Sequence, residues 1–123
     1  MPKCILIVDD SALIRRVIRE TLEKQEGWEV SAEAANGREA IEKAQQARPD
    51  LIVLDFSMPV MNGLETARVL KRLLPSVPLV MFTNFTSPQL SKEALSAGVN
   101  AVVSKDKIEG LVHSIQALLE PGS

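Results

Sequence analysis

Five residues stand out by type and by place. Asp9 and Asp10 follow the apolar run 5–8, Asp55 follows the run 51–54, Thr83 closes the run 79–82, and Lys105 stands just beyond the run 99–103. If the fold brings them to one rim, three carboxylates, a hydroxyl and an ammonium converge. Two like charges about 5 Å apart at an effective dielectric near 20 repel by roughly 3 kcal/mol, so a bare carboxylate trio is costly. A hard divalent cation such as Mg²⁺ (or Mn²⁺) relieves it, because such ions take oxygen ligands from one or two carboxylates plus water. Lys105 adds a further positive charge. A cation, an ammonium and a spare carboxylate oxygen suit receipt of a phosphoryl group, since that transfer asks mainly for positioning and charge neutralisation. A carboxylate can itself be the nucleophile and become an acyl phosphate. Each residue alone has a plainer use: aspartates after strands cap helices, threonine is a β-former, and lysine faces solvent. Their joint placement carries the reading.

Convergence requires elements that deliver these residues to one edge. The runs 5–8, 51–54, 79–82 and 99–103 are continuously apolar, which predicts strands buried on both faces of a parallel sheet. Residues 28–34 alternate polar and apolar and predict a less buried edge strand, ending at the chemically silent Ala34-Ala35. Between the runs lies helical spacing. Ile14, Val17, Ile18 and Leu22 recur on one face, with Gly27 as the terminator. Asn36-Gly37-Arg38-Glu39 reads as a capping box ahead of Ala40, Ile41 and Ala44. Asn62-Gly63-Leu64-Glu65 repeats it ahead of Leu70, Leu73 and Leu74, and Pro75 stops that helix. Ser87-Pro88 opens a fourth helix and Gly98 ends it. Asp106 with Glu109 is the expected fifth cap, before the stripe Ile108, Leu111, Val112, Ile115 and Leu118. Five βα units predict an α/β fold: a parallel sheet with helices on both faces and right-handed crossovers. Such folds bind ligands beyond the carboxyl ends of their strands, where the chosen residues lie.

Composition narrows the function classes. At 123 residues the chain is sized for one domain, and 46% hydrophobic with 24% charged residues is an ordinary globular balance. Fourteen basic against 16 acidic side chains give a net charge of −2, which argues against nucleic-acid binding. The aromatic residues are Trp28, Phe56, Phe82 and Phe85, too few for a base-stacking platform or a flavin sandwich. A single cysteine, Cys4, permits no internal disulfide and reads as a small buried hydrophobe. No apolar run approaches the ~20 residues of a membrane helix, so a cytoplasmic protein without a membrane partner is expected. Two enzymatic rivals fit poorly. A flavin phosphate would be repelled by Asp9-Asp10, and aspartate-based phosphatases carry Asp-x-Asp after the first strand, where this chain has adjacent aspartates.

The chain resembles the receiver domain of two-component response regulators along its whole length, in the manner of chemotaxis receivers. The most specific stretch is Asp55-Phe56-Ser57-Met58-Pro59-Val60-Met61-Asn62-Gly63, which matches the family's phosphoacceptor loop; the pair Asp9-Asp10, then Thr83 and Lys105, complete the set in order. The resemblance implies a flavodoxin-like, doubly wound sheet of order 2-1-3-4-5, filling residues 1–123 as one receiver domain with no output domain. It implies that Asp55 accepts the phosphoryl group. Asp10, Asp55 and the Ser57 backbone carbonyl would ligate Mg²⁺, with Asp9 acting mostly through water. Thr83, Lys105 and the Asn84 backbone would contact the phosphoryl oxygens. The donor would be a sensor histidine kinase or a histidine phosphotransfer protein. The output would be an altered surface of helix 4, strand 5 and helix 5, offered to a downstream protein or a second copy. The protein would not be an enzyme, although it would assist its own phosphorylation and dephosphorylation.

Some positions depart from the family pattern. Val102 replaces the usual aromatic three residues before Lys105, and a stiff β-branched side chain has no ring to relocate. The rival reading is therefore a receiver-fold interaction module that no longer switches. Asp106 replaces the usual proline after Lys105. Phe85, with Ser57 at the other flank, is expected to hinder hydrolytic water and slow phosphate loss. Arg15, Arg16 and Arg19 read as a solvated face or, by resemblance, a kinase-docking face. His113 reads as exposed. Met58, Met61 and Met81 read as loop and core fillers. Trp28 is expected far from Asp55.

Overall fold

A computed structural model describes residues 1–120. Pro121, Gly122 and Ser123, the tail of the expected domain, lie outside the described residues. Strands and helices alternate: β1 (Lys3–Val8), α1 (Ala12–Glu23), β2 (Trp28–Ala34), α2 (Gly37–Ala47), β3 (Leu51–Leu54), α3 (Gly63–Leu73), β4 (Leu79–Thr83), α4 (Pro88–Ser96), β5 (Ala101–Ser104) and α5 (Ile108–Leu119). All neighbouring strands pair in parallel, in the order β2-β1-β3-β4-β5. The chain winds one way from β1 to β2 and the other way from β3 to β5. The reversal falls between β1 and β3, so a crevice opens at their carboxyl ends. Asp9 and Asp55 are the first residues past those two strands.

The continuous apolar runs do what two-sided burial requires. Along β1, Ile5 and Ile7 join Ile18, Leu22, Leu111 and Ile115 in the core under α1 and α5. Leu6 and Val8 face the opposite core with Ala40, Ala44, Leu64, Ala67, Leu70, Leu90 and Ala94 from α2, α3 and α4. Period-two alternation thus feeds two cores from one strand.

The helix starts follow the cap residues. Ser11 accepts the Ile14 amide and Ser87 the Leu90 amide. Asn62 and Glu65 form a complete capping box. At α2 the box is shifted: Asn36 accepts the Glu39 amide, but Glu39 reaches the Ala35 amide. The fifth expected cap fails. The helix starts one residue later, so Lys107 holds the N-cap position of α5 and, lacking a side-chain acceptor, makes no cap bond; the Asp106 amide donates to the Ser104 hydroxyl.

Other expectations shift. The last strand begins at Ala101, not at residue 99. Gly98, at φ +99°, turns the chain, and Val99 donates to Ala94. Val99 is apolar because it plugs the core. β5 is the second edge strand and is only half-buried. Gly27 does hold a positive φ, but at the entry to β2, since α1 already ends at Lys24. Val17 and Leu73 are exposed, and Cys4 is half-buried. Among the described residues no helix is long and apolar enough to cross a membrane.

Candidate functional site

Asp9, Asp55, Thr83 and Lys105 meet at the carboxyl edge of the sheet. Asp9 is 1% exposed, Asp55 5% and Thr83 fully buried; Asp10 points out and is exposed. Backbone bonds fix the two inner aspartates: the Asp9 amide donates to Ala34 O at 3.0 Å and the Asp55 amide to Val8 O at 3.0 Å. One carboxylate oxygen from each of Asp9, Asp10 and Asp55 lies within 4.8 Å of the other two. The Lys105 ammonium enters from the end of β5, 2.7 Å from Asp9 Oδ2 and 3.2 Å from Asp55 Oδ2. The Lys105 amide donates to Thr83 O at 3.0 Å, which ties the lysine to the threonine. The Thr83 hydroxyl accepts the Phe85 amide at 3.1 Å, and its own proton is left to donate.

The loop after Asp55 is tightly folded. Gly63, the first residue of α3, donates to Phe56 O at 2.8 Å. A Cβ at Gly63 would meet the Asp55 carbonyl and stand 2.7 Å from the Phe56 Cα, so glycine is required for α3 to start this close to β3. Val60 takes φ +74° where the Met61 amide folds back onto Pro59 O. A β-branched residue there is strained, and no glycine in the sequence marks the turn. Ser57 and Asn84 are exposed on the two loops that flank the pocket. Phe85 is 58% exposed and meets Phe56 edge-on, with ring centroids 6.3 Å apart. Val102 is half-buried against the core of α2, α3 and α4. His113 is exposed, as expected. The methionines divide, with Met81 in the core and Met58 and Met61 half-buried in the loop.

The electrostatics follow from burial. Burial first, then the Asp9 charge, push the Asp55 carboxyl above the ordinary aspartate range; Lys105 and the Phe56 amide pull back without cancelling them. Burial pushes the Lys105 ammonium down, but Asp9 and Asp55 outweigh it and hold it above the ordinary lysine range. Asp9 Oδ2 is buried and has no aligned hydrogen-bond donor among the described residues; the Lys105 ammonium stands 2.7 Å away, and the Asp10 and Asp55 carboxylates share the same space. A cluster of hard oxygen donors with one such oxygen aimed inward fits a divalent cation of the Mg²⁺ class.

The arginines of α1 are not a plain solvated face. Arg16 is exposed and pairs with Glu20. Arg15 and Arg19 instead share Glu33 of β2, with Nε–Oε distances of 2.9 and 2.7 Å. Burial raises the Glu33 carboxyl, but the two arginines outweigh it and hold it below the ordinary glutamate range. Arg15 Nη1 also donates to the Asp9 carbonyl at 2.7 Å. The four-residue spacing of Arg15 and Arg19, and an acid near the end of an edge strand, were the available signals for this cluster.

Comparison with known proteins agrees with this geometry. The sequence profile of the response regulator receiver domain matches residues 5–116. A protein-glutamate methylesterase/protein-glutamine glutaminase of Alkalilimnicola ehrlichii is 43% identical over 102 residues, covering 81% of this chain and 26% of that protein. This chain thus spans about a quarter of that relative's length. The chemotaxis protein CheY of Thermotoga maritima is 34% identical over 105 residues, covering 85% of this chain and 87% of CheY. Among solved structures, the response regulator domain of Thermotoga maritima CheB superposes with a TM-score of 0.91 at 25% identity, with both chains covered in full.

The raised Asp55 carboxyl makes a thermodynamic prediction. A carboxyl whose pKa rises on folding holds its proton more tightly in the folded chain. Stability therefore falls as pH climbs from the ordinary aspartate range through the raised value. At neutral pH and without divalent cations, Asp55→Asn is expected to raise the thermal midpoint by a few degrees. The gain should shrink in acid, where Asp55 is protonated in both states. A lower midpoint for the variant at neutral pH would contradict the assignment.

Proposed function

The chain belongs to the response regulator receiver domain family of two-component signalling, and from that premise we propose that it works as a phosphoacceptor switch on Asp55. The observation that carries the reading is the single ammonium of Lys105 shared by two buried carboxylates, Asp9 and Asp55, at the crevice between β1 and β3. An Asp55 oxygen attacks phosphorus on a phosphohistidine of a sensor histidine kinase or histidine phosphotransfer protein. The P–N bond breaks, the imidazole leaves with the electron pair and takes up a proton, and an O–P bond forms as an acyl phosphate. A small acyl phosphate would substitute as donor, with a carboxylate leaving.

Asp9, Asp10, Asp55 and the Ser57 carbonyl would hold Mg²⁺ or Mn²⁺, which when bound would neutralise phosphoryl charge. Lys105 would meet one phosphoryl oxygen. The Thr83 hydroxyl, with its proton available, would donate to another, and the Asn84 backbone to the same group. No turnover of a separate substrate is implied, so the protein acts as a switch and not an enzyme. Phe85 and Ser57 would restrict water at the acyl phosphate and lengthen its life. The readout would be a population shift, with movement of Thr83 altering the surface of α4, β5 and α5. A downstream protein or a second copy would recognise it, in the cytoplasm and without nucleic acid or membrane.

Val102 favours a second reading, a receiver-fold module that docks without switching. Its side chain is short, stiff and already packed against the core, where a relocating ring would otherwise sit.

Two measurements separate these readings. Acetyl phosphate with Mg²⁺ is expected to label the wild-type chain with one phosphoryl group, seen by intact mass, and Asp55→Asn or removal of Mg²⁺ to abolish labelling. An unlabelled wild type overturns the phosphoacceptor reading. Beryllofluoride with Mg²⁺ should then shift backbone amides through α4 and β5 if the chain switches. Shifts confined to the loops around Asp55 would select the non-switching module.

A further inference from the structure

Asp9 is held at more points than its neighbours, and one of those points lies outside the pocket. Its amide donates to Ala34 O on β2. Its Oδ1 accepts the Ser11 amide at 2.9 Å, the turn that starts α1. Its carbonyl accepts Arg15 Nη1 at 2.7 Å. Only Oδ2 remains, aimed at Lys105 and the other carboxylates. Arg15 is itself braced, because its Nε is bonded to Glu33, the residue before the Ala34 that receives the Asp9 amide. Glu33 is braced in turn by Arg19. The Arg15 side chain is only 18% exposed, so its guanidinium is packed in place. A carboxylate, a guanidinium and a carbonyl therefore form a chain from the edge strand to the loop that carries the acid pair.

We propose that Arg15, braced by Glu33, is a positioning residue for the cation site: by gripping the Asp9 carbonyl it fixes the direction of the Asp9 carboxylate and the path of the loop to Asp10. The inference rests on the reading of Asp9, Asp10 and Asp55 as Mg²⁺ ligands. Two physical effects of Arg15 on that cation oppose each other. As a positive charge near an acidic pocket it repels Mg²⁺, so on Coulomb grounds alone its removal strengthens binding. As an orienting partner its removal loosens the ligand and weakens binding. Groups that hold metal ligands in place are commonly worth about 10–100-fold in affinity. The proposal requires positioning to outweigh repulsion, and the sign of the effect decides between them.

The test is a Mg²⁺ titration of the full chain, followed by the amide signals of Asp10 and Ser11, in 0.15 M and 0.5 M KCl. Arg15→Met is expected to raise the Mg²⁺ dissociation constant roughly tenfold. It should also shift the Ser11 amide before any metal is added, and the weakening should persist in high salt, where charge effects are screened. Arg15→Lys, which keeps the charge but not the fork, should fall on the weakened side of wild type. An unchanged or tighter constant for Arg15→Met overturns the proposal. If Arg15→Met does not melt cooperatively, Glu33→Gln decides in its place. Weakening in both salts supports the brace, and weakening that vanishes in 0.5 M KCl overturns it. A wild type that shows no saturable Mg²⁺ shifts would overturn the cation site itself, a result distinct from failure of the Arg15 role.

Discussion

Two aspartates at the ends of adjacent parallel strands are buried side by side, and one lysine charge stands between them. That arrangement is costly. Two carboxylates so placed repel, burial penalises the charged form, and the Asp55 carboxyl stays raised because Lys105 and the Phe56 amide together do not cancel the two. The fold tolerates the strain because the surrounding backbone allows no relief. The Asp9 and Asp55 amides are locked into neighbouring strands, and α3 starts so close to β3 that only glycine fits at position 63. Two cores, one on each face of the sheet, supply the apolar burial that holds this crevice in shape. The site is thus poised for added positive charge, which is also what a phosphoryl acceptor needs.

Much of this was legible in the sequence. Continuous apolar runs reported strands buried on two faces, and β1 feeds both cores as that pattern requires. Asn62 with Glu65 and Ser87 with Pro88 marked real helix starts. That Asp9, Asp55 and Lys105 would meet was legible because a parallel sheet places all its carboxyl ends on one rim. The order β2-β1-β3-β4-β5 came from family resemblance and not from spacing, since the alternation of elements is the same for any order.

The failures have physical causes. Val99 was read as strand because a core plug and a strand residue are equally apolar. Asp106 was read as a cap because its type and spacing fit, yet the helix starts one residue later and puts Lys107 at the cap position. Arg15 and Arg19 were read as a solvated face because their partner, Glu33, lies across the α1–β2 packing and not on the same helix. Side-chain direction decides each of these cases, and residue order does not carry it. The turn at Val60 is similar, because local backbone strain there has no glycine to announce it.

The central claim is that the Asp9–Lys105–Asp55 cluster is a cation site in which the lysine holds part of the charge that Mg²⁺ would supply. Calorimetric titration with Mg²⁺ at neutral pH, on the wild type and on Lys105→Met, tests it most directly. The account predicts one saturable site per chain, and tighter binding once the competing ammonium is gone. Absence of saturable binding in the wild type, or weaker binding in the variant, would contradict it.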